Sequence, residues 1–349
     1  MGRLTPVARR ATRWALVVAL ALPVILLPAG FALSQGAAPV KVKATQSVHS
    51  VSYLPVYVAD KQGFFKKNGL DVEVTVTQGG GPDLQALLSG GVEFWFGGPI
   101  NQLLAYGQNR DQRTLSVVAF FSNLGINLVM RKDTATRLGL SERSPIADKL
   151  KALKGLVIGV TRPGALTDMV VKYYLAKAGI DPKDVTVIGI GSGATQLAAL
   201  EQRRVDVAVD VTPTSEEAVR RGAAIMLVHN FAGEDPNLRG FLQQTLVVLP
   251  AYAQRQPDVV RRMVRSFVEA EQWIGTRPPT ELAEIAHPFM PAIDQSLLAT
   301  TIAAGLSGFV SPRIAQSGFD KNQELLMAAG ILKEMVPWTQ LATNDFLPQ

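Results

Sequence analysis

Residues 54–74 read LPVYVADKQGFFKKNGLDVEV, and their pattern predicts a helix followed by a strand. The apolar side chains of the first part recur at helical spacing: Leu54, Tyr57, Val58, Phe64 and Phe65. Valines then alternate with polar residues through 72–76, which is the spacing of a half-buried strand. Pro55 suits a first helical turn, and Gly63 and Gly69 can adopt the left-handed conformation that ends a helix. We therefore predict a helix over 54–68 and a strand over 72–76.

The same alternation of strand and helix continues on both sides of this run. Strands are predicted at 40–45, 72–76, 94–96, 115–121, 156–160, 185–188, 205–209 and 224–228. Strands that alternate with helices at short spacing indicate parallel α/β sheets. A polar stretch near 131 and a strand near 245 indicate that the chain leaves a first lobe and returns to it. The expected fold class is α/β, with lobe I formed by 40–131 plus 246–349 and lobe II by 132–245.

A sequence pattern that occurs twice in the chain favours two similar lobes. Gln85–Pro99 and Gln196–Pro213 each contain a short Ala/Leu helix, a strand with a valine, an acid and an apolar residue, and a proline turn. Short α/β units can also converge on such a pattern, so its repetition is a weak guide to ancestry.

The opening run resembles the N-terminal signature of solute-binding proteins from the nitrate/sulfonate/taurine and thiamine-pyrimidine uptake family. The resemblance continues in LKGLVIGVT (153–161), YLAKAGIDPKDV (174–185) and QPDVV (256–260), and it covers roughly 40–275. It implies the type II periplasmic binding protein fold, in which two α/β lobes are joined by a two-segment hinge. It further implies a monomer that delivers a ligand to ABC permease and ATPase subunits at the inner membrane, with no cofactor.

Residues 1–34 have the layout of a cleavable secretory signal peptide. A basic head with four arginines precedes an apolar run from Trp14 to Pro28, and Ala32 and Ser34 supply small residues for cleavage. An uncleaved anchor is the alternative, and Arg9-Arg10 fits a twin-arginine signal poorly. After cleavage the chain keeps 31 basic and 29 acidic residues, so its net charge falls from +6 to +2 and gives little support for nucleic-acid binding. We expect a periplasmic protein.

The predicted ligand contacts lie in loops that follow the carboxyl ends of strands, because ligands bind there in open α/β sheets. They are Ser47, His49, Ser50, Tyr53, Gly98, Pro99, Asn123, Thr161, Gly164, Ala165, Ser192, Asp210 and Thr212. The loop 161–167 could hold an anion at a helix start or be a plain turn. Asp210 could pair with an amino or pyrimidine group of a ligand, or it could cap the turn that follows it.

Other site chemistry has little support in the sequence. The chain has no cysteine and three scattered histidines, so no metal ligand set is predicted. GIGSG (189–193) lacks the spacing of a dinucleotide-binding loop. No Ser/His/Asp arrangement emerges, which disfavours a hydrolase, and the absence of cysteine separates the chain from a pyrimidine synthase of the same fold family.

The expected function is capture of a small sulfonate-, nitrate- or taurine-like anion or a carboxylate for an ABC importer. The alternatives are a thiamine-pyrimidine or other heteroaromatic binder, a sensor-coupled binding module and, least favoured, an exported enzyme.

Overall fold

The computed structural model describes Gly2 and residues 38–309 and 311–348. The predicted signal peptide, 1–34, therefore lies outside the described residues except for Gly2. Within the described part, no helix has the length and apolar character needed to cross a membrane.

The described chain alternates strands with helices. The strands are β1 (Val40–Gln46), β2 (Leu70–Val76), β3 (Phe94–Gly97), β4 (Leu115–Phe121), β5 (Ile126–Arg131), β6 (Val157–Val160), β7 (Thr186–Gly189), β8 (Val207–Val211), β9 (Ala224–Val228) and β10 (Gln244–Val248). The helices are α1 (Leu54–Lys61), α2 (Phe64–Lys67), α3 (Gly80–Leu88), α4 (Pro99–Gln108), α5 (Lys132–Arg137), α6 (Ile146–Lys151), α7 (Leu166–Ala178), α8 (Ala194–Glu201), α9 (Thr214–Arg220), α10 (Pro250–Arg255), α11 (Pro257–Ile274), α12 (Pro279–Ala286), α13 (Gln295–Gly305) and α14 (Gln316–Ala328).

The strands form two five-stranded sheets, and this confirms the predicted α/β class. The first sheet has the order β2-β1-β3-β10-β4, and the second has the order β7-β6-β8-β5-β9. Of the eight strand pairings in the described chain, four are parallel and four are antiparallel. β10 is antiparallel to β3 and β4, and β5 is antiparallel to β8 and β9. Each sheet thus contains one reversed strand, which the chain forms on arriving from the other sheet.

The segment 126–131 lies in a different sheet from the one that the sequence indicated. We predicted that it ends lobe I, whereas β5 pairs with β8 and β9 of the second sheet. Its apolar run suits a central strand of either sheet, so composition alone could not decide between them. The other lobe limits stay a prediction.

The opening run forms the predicted elements with one interruption. Gly63 adopts a left-handed conformation, with φ of 72°, and separates α1 from α2. The predicted helix over 54–68 is therefore two short helices, followed by β2. The valines of β2 are partly buried and its intervening residues are exposed, as the alternation predicted.

An aromatic cluster joins the first sheet to α11. The Phe267 ring on α11 lies 5.4 Å from the Phe96 ring and 4.9 Å from the Phe120 ring, between centroids. All three side chains are buried. The cluster holds the C-terminal helices against β3 and β4, and so fixes the loops at the ends of those strands.

Candidate functional site

A cleft lies between the loops that end the two sheets. It contains about 550 Å³ of empty space, including its opening to solvent. Its walls come from both lobes. The residues that line it are Ser47, Val48, Tyr53, Gly79, Gly80, Trp95, Gly97, Gly98, Ile100, Asn101, Ile126, Thr161, Ala165, Leu166, Thr167, Val211, Gln243, Gln244 and Asn322.

Three helices begin at this cleft. The first residues of α3 and α7 and the N-cap residue of α4 line it. Within the described chain, none of the N-cap residues Gly79, Gly98 and Ala165 caps its helix with a side chain. The first N–H groups of a helix have no partner inside the helix, and its N-terminus carries a partial positive charge. The N-terminal ends of three helices, from both lobes, therefore line the cleft.

The side chains that line the cleft are all uncharged. The charged Asp83 lies behind the wall, fully buried in α3. Its carboxylate accepts hydrogen bonds from Ser47 Oγ at 2.6 Å and Thr77 Oγ1 at 2.5 Å. Burial raises the pKa of Asp83 to about 6, and these hydroxyls, the Trp95 indole and Arg162 limit the rise.

Two buried polar atoms of the lining residues have no hydrogen-bond partner among the described residues. They are Trp95 Nε1, a donor that faces Asp83 outside hydrogen-bonding geometry, and Asn322 Oδ1, an acceptor. Buried polar groups are rarely left unpartnered unless a ligand or water completes them. Both atoms are consistent with a binding site.

Five of the predicted contacts line the cleft: Ser47, Tyr53, Gly98, Thr161 and Ala165. Two more lie directly behind it. Pro99 is the first residue of α4, and the carbonyl of Gly164 accepts a hydrogen bond from Asn101 Nδ2 at 3.3 Å. Their role as ligand contacts stays a prediction.

The remaining predicted residues in the first sheet's loops lie outside the cleft. The His49 ring packs against Tyr57 and Phe289, with Nδ1 3.2 Å from the Tyr57 hydroxyl. Ser50 Oγ lies 2.6 Å from Ser52 Oγ and is buried. Asn123 Nδ2 donates to the carbonyl of Phe231.

Asp210 holds a loop of the second lobe. Its carboxylate accepts from Ser192 Oγ at 2.6 Å, Gly193 N at 2.9 Å and Val211 N at 2.8 Å. It is 1% exposed, and burial raises its pKa to about 7. Thr212 Oγ1 donates to Glu216. These contacts bind Ser192, Asp210 and Thr212 to neighbours within the second lobe. Both roles that the sequence offered for Asp210 stay predictions.

Several residues that line the cleft are not among the predicted contacts. Trp95 lies within a strand, where a tryptophan is commonly part of the core, and Asn322 lies in the C-terminal helices, beyond the part of the chain that carries the family resemblance. Gly79 and Gly80 lie between β2 and the first turn of α3. Three glycines before a helix were the available signal, since such loops leave the helix N-terminus open.

Hydrogen bonds join the lobes across the cleft. Arg162 of the second lobe donates to the carbonyl of Thr77 at 3.2 Å, and Val51 N donates to the carbonyl of Thr212 at 3.4 Å. The Asn101–Gly164 hydrogen bond also crosses between them. A Cβ at Gly79 would lie 3.0 Å from Arg162 Nε, so the glycine leaves room for the arginine.

The fold and the sequence both resemble known binding proteins. The structure superimposes on the periplasmic nitrate-binding protein NrtA of Synechocystis PCC 6803 with a TM-score of 0.71, at 15% identity and covering 88% of this chain and 87% of that one. The alkanesulfonate-binding protein SsuA of Xanthomonas axonopodis pv. citri gives a TM-score of 0.66 at 18% identity, covering 85% and 96%. YtlA of Bacillus subtilis strain 168 is 24% identical over 309 residues, which are 87% of this chain and 88% of that one.

These neighbours share the periplasmic binding protein fold, which confirms the predicted fold class. The model of the NMT1-like family matches residues 41–288, a span that includes the opening run and most of the cleft. The chain belongs to the NMT1-like family.

Proposed function

We propose that this protein is the extracytoplasmic solute-binding subunit of an ABC importer and that it captures a small anionic solute between its lobes. The observation that carries the proposal is the convergence of three helix N-termini on an uncharged cleft. Unpaired N–H groups and the helix dipoles favour a negative group there. Sulfonates, nitrate, taurine-like compounds and carboxylates fit this requirement.

The two lobes suit capture by closure. A ligand that contacts both lobes stabilises the closed state, because those contacts exist only when the cleft is shut. The closed protein would dock from the periplasm on the permease at the inner membrane, as a monomer, and the ATPase would drive release. Binding is stoichiometric in this proposal, and the bound solute is not chemically changed.

A panel of ligands tests the proposal on the mature protein, residues 35–349. Thermal shifts are measured with alkanesulfonates, nitrate, carboxylates and pyrimidines, followed by analysis of the recovered ligand for turnover. A ligand at 100 times its dissociation constant adds about 2.7 kcal/mol of stability, which is readily measured. We expect one anionic class to give this shift and to be recovered intact. A protein that no anion stabilises contradicts the proposal.

A blocking variant links the shift to the cleft. Ala165 lines the cleft at the start of α7, whereas Ala176 is exposed near the end of the same helix. We expect Ala165→Leu to abolish the ligand-induced shift, because the larger side chain occupies ligand space. The matched control Ala176→Leu should retain it. Equal shifts in both variants would place the ligand elsewhere.

A heteroaromatic binder is the second candidate, because Tyr53 and Trp95 both line the cleft. Aromatic side chains favour contact with a flat ring. The same ligand panel separates the two candidates. A thermal shift with pyrimidines and none with small anions favours the heteroaromatic binder.

A further inference from the structure

Ser47 offers a hydrogen-bond acceptor to the cleft. Its hydroxyl donates its proton to the Asp83 carboxylate at 2.6 Å, so only the lone pairs of Ser47 Oγ remain for a ligand. Asp83 is fully buried and its second oxygen accepts from Thr77, which keeps the carboxylate in place. The carbonyl of Ser47 accepts from Gly79 N at 3.1 Å. This acceptor therefore lies beside the N-terminus of α3.

Asn322 offers a second acceptor, and its orientation is fixed. Its Nδ2 donates to the carbonyl of Leu242 at 3.0 Å and to that of Gly318 at 3.1 Å. A flipped amide would place Oδ1 against two carbonyl oxygens, so the donor side must face them. Oδ1 consequently remains buried and unpartnered within the described residues, on a side chain that lines the cleft.

A ligand with acceptors alone leaves Asn322 Oδ1 unpartnered and makes no hydrogen bond to Ser47 Oγ, whose proton goes to Asp83. Nitrate and unsubstituted alkanesulfonates carry only acceptor oxygens, whereas the helix ends favour an anion. An unpaired buried acceptor carries the full desolvation cost of that group. The helix N-termini favour a negative group, and the oxygens of Ser47 and Asn322 need a hydrogen-bond donor. One molecule that carries both an anionic group and an N–H or O–H group meets both requirements.

We infer that the solute is a small organic acid that carries an amino or hydroxyl group near its anionic group. This inference rests on the proposed function, since it names the ligand class of the same cleft. It separates amino- and hydroxy-substituted sulfonates and carboxylates from nitrate and from the unsubstituted acids.

Matched pairs of ligands test the inference by isothermal titration calorimetry of the mature protein. The pairs are 2-aminoethanesulfonate with ethanesulfonate, 2-hydroxyethanesulfonate with ethanesulfonate, lactate with propionate, and 4-aminobenzoate with benzoate, and nitrate is titrated separately. Sites built to hydrogen-bond a substrate group reject analogues that lack it by large factors. We expect the substituted member of at least one pair to bind at least about tenfold more tightly than its partner.

Two variants locate the preference. Ser47→Ala removes the acceptor in the cleft, and Ser89→Ala removes the hydroxyl of an exposed serine at the C-terminal end of α3, outside the cleft lining. Ser47→Ala should reduce the affinity ratio of the preferred pair by about tenfold, toward equality. Ser89→Ala should preserve the ratio. Circular dichroism checks that both variants are folded. The affinity ratios of the wild-type protein test the inference even where a variant does not fold.

The outcomes distinguish the two hypotheses. Equal binding within every pair, or tightest binding of nitrate, overturns the inference and leaves the proposed function standing. A preference that survives Ser47→Ala and Ser89→Ala alike also overturns the assigned acceptor. If no member of any pair binds and nitrate does not bind, the proposed function fails and the inference fails with it.

Discussion

Glu271 on α11 is a carboxyl group buried among apolar side chains. It is 4% exposed, and neither of its oxygens has a hydrogen-bond partner among the described residues. Burial raises its pKa to about 9. Position 271 follows Phe267 by one helical turn and precedes Ile274, so the amphipathic pattern places this residue on the buried face. The ionised form would be an uncompensated buried charge, so the folded protein keeps Glu271 protonated at neutral pH.

Replacing Glu271 should stabilise the protein at pH 7. Its pKa is higher in the folded chain than the ordinary value of 4.5, so the folded state binds more protons between about pH 4.5 and 9. Stability therefore falls as pH rises through this window. Glu271→Met removes that loss, and we expect the free energy of unfolding at pH 7 to rise by up to about 3 kcal/mol. Urea unfolding at pH 5, 7 and 9 measures the change.

The exposed Glu284 on α12 supplies a matched control. Glu284→Met should leave the dependence of stability on pH as in the wild type, while Glu271→Met flattens it. Parallel pH profiles for all three proteins would show that Glu271 is ionised in the folded state.

The start of α4 depends on a glycine that has little room. Gly98 has φ of −127°, so its backbone conformation is open to other residues. A Cβ there would lie 2.1 Å from the backbone carbonyl oxygen of Gln243, just before β10. The close approach places the N-terminus of α4 against the cleft.

Gly98→Ala should therefore weaken both stability and binding. The added methyl group must push α4 away from Gln243, and overpacking of this kind costs about 1–3 kcal/mol. The displaced helix end would also bind an anion less well. Thermal unfolding with and without the ligand found in the panel measures both effects.

Gly81 provides the control for this element. It lies in the first turn of α3, and a Cβ there would meet no atom within 4 Å. Gly81→Ala should leave binding unchanged and preserve or slightly increase stability, because alanine favours a helix. If Gly98→Ala and Gly81→Ala change stability and binding equally, the close approach to the Gln243 carbonyl does not explain why position 98 needs a glycine.

Elements were predictable where local periodicity determines them. The alternation through 72–76 gives β2, and the positive φ of Gly63 explains why one predicted helix became two. Loops that follow strands supply part of the cleft wall, and five of the thirteen predicted residues line it, while their role as ligand contacts stays a prediction. The contribution of Asn322 was not predictable, since only the packing of α14 brings it to a loop more than two hundred residues earlier.

At the scale of the molecule, polar contacts around the cleft and apolar packing both join the lobes. Two sheets were predictable from the repeated strand and helix pattern, but the sheet of β5 depends on long-range pairing with β8 and β9. Arg162 was recognised in the sequence only as part of a possible anion loop. In the structure it reaches the opposite lobe, where it donates to the Thr77 carbonyl and lies against Gly79.

Arg162→Ala should shift the protein toward an open arrangement of the lobes. The contacts of Arg162 with Thr77 and Gly79 exist only while the lobes are together, so their loss lowers the population of the closed state. Apparent affinity falls with the fraction of protein that is competent to bind. We expect a several-fold higher dissociation constant, and small-angle X-ray scattering should show a larger radius of gyration without ligand.

The scattering separates this role from direct ligand contact, because losing a ligand contact leaves the unliganded protein unchanged. Arg204→Ala, at an exposed position of the second lobe, should change neither quantity. An unliganded Arg162→Ala protein as compact as the wild type would mean that Arg162 does not hold the lobes together.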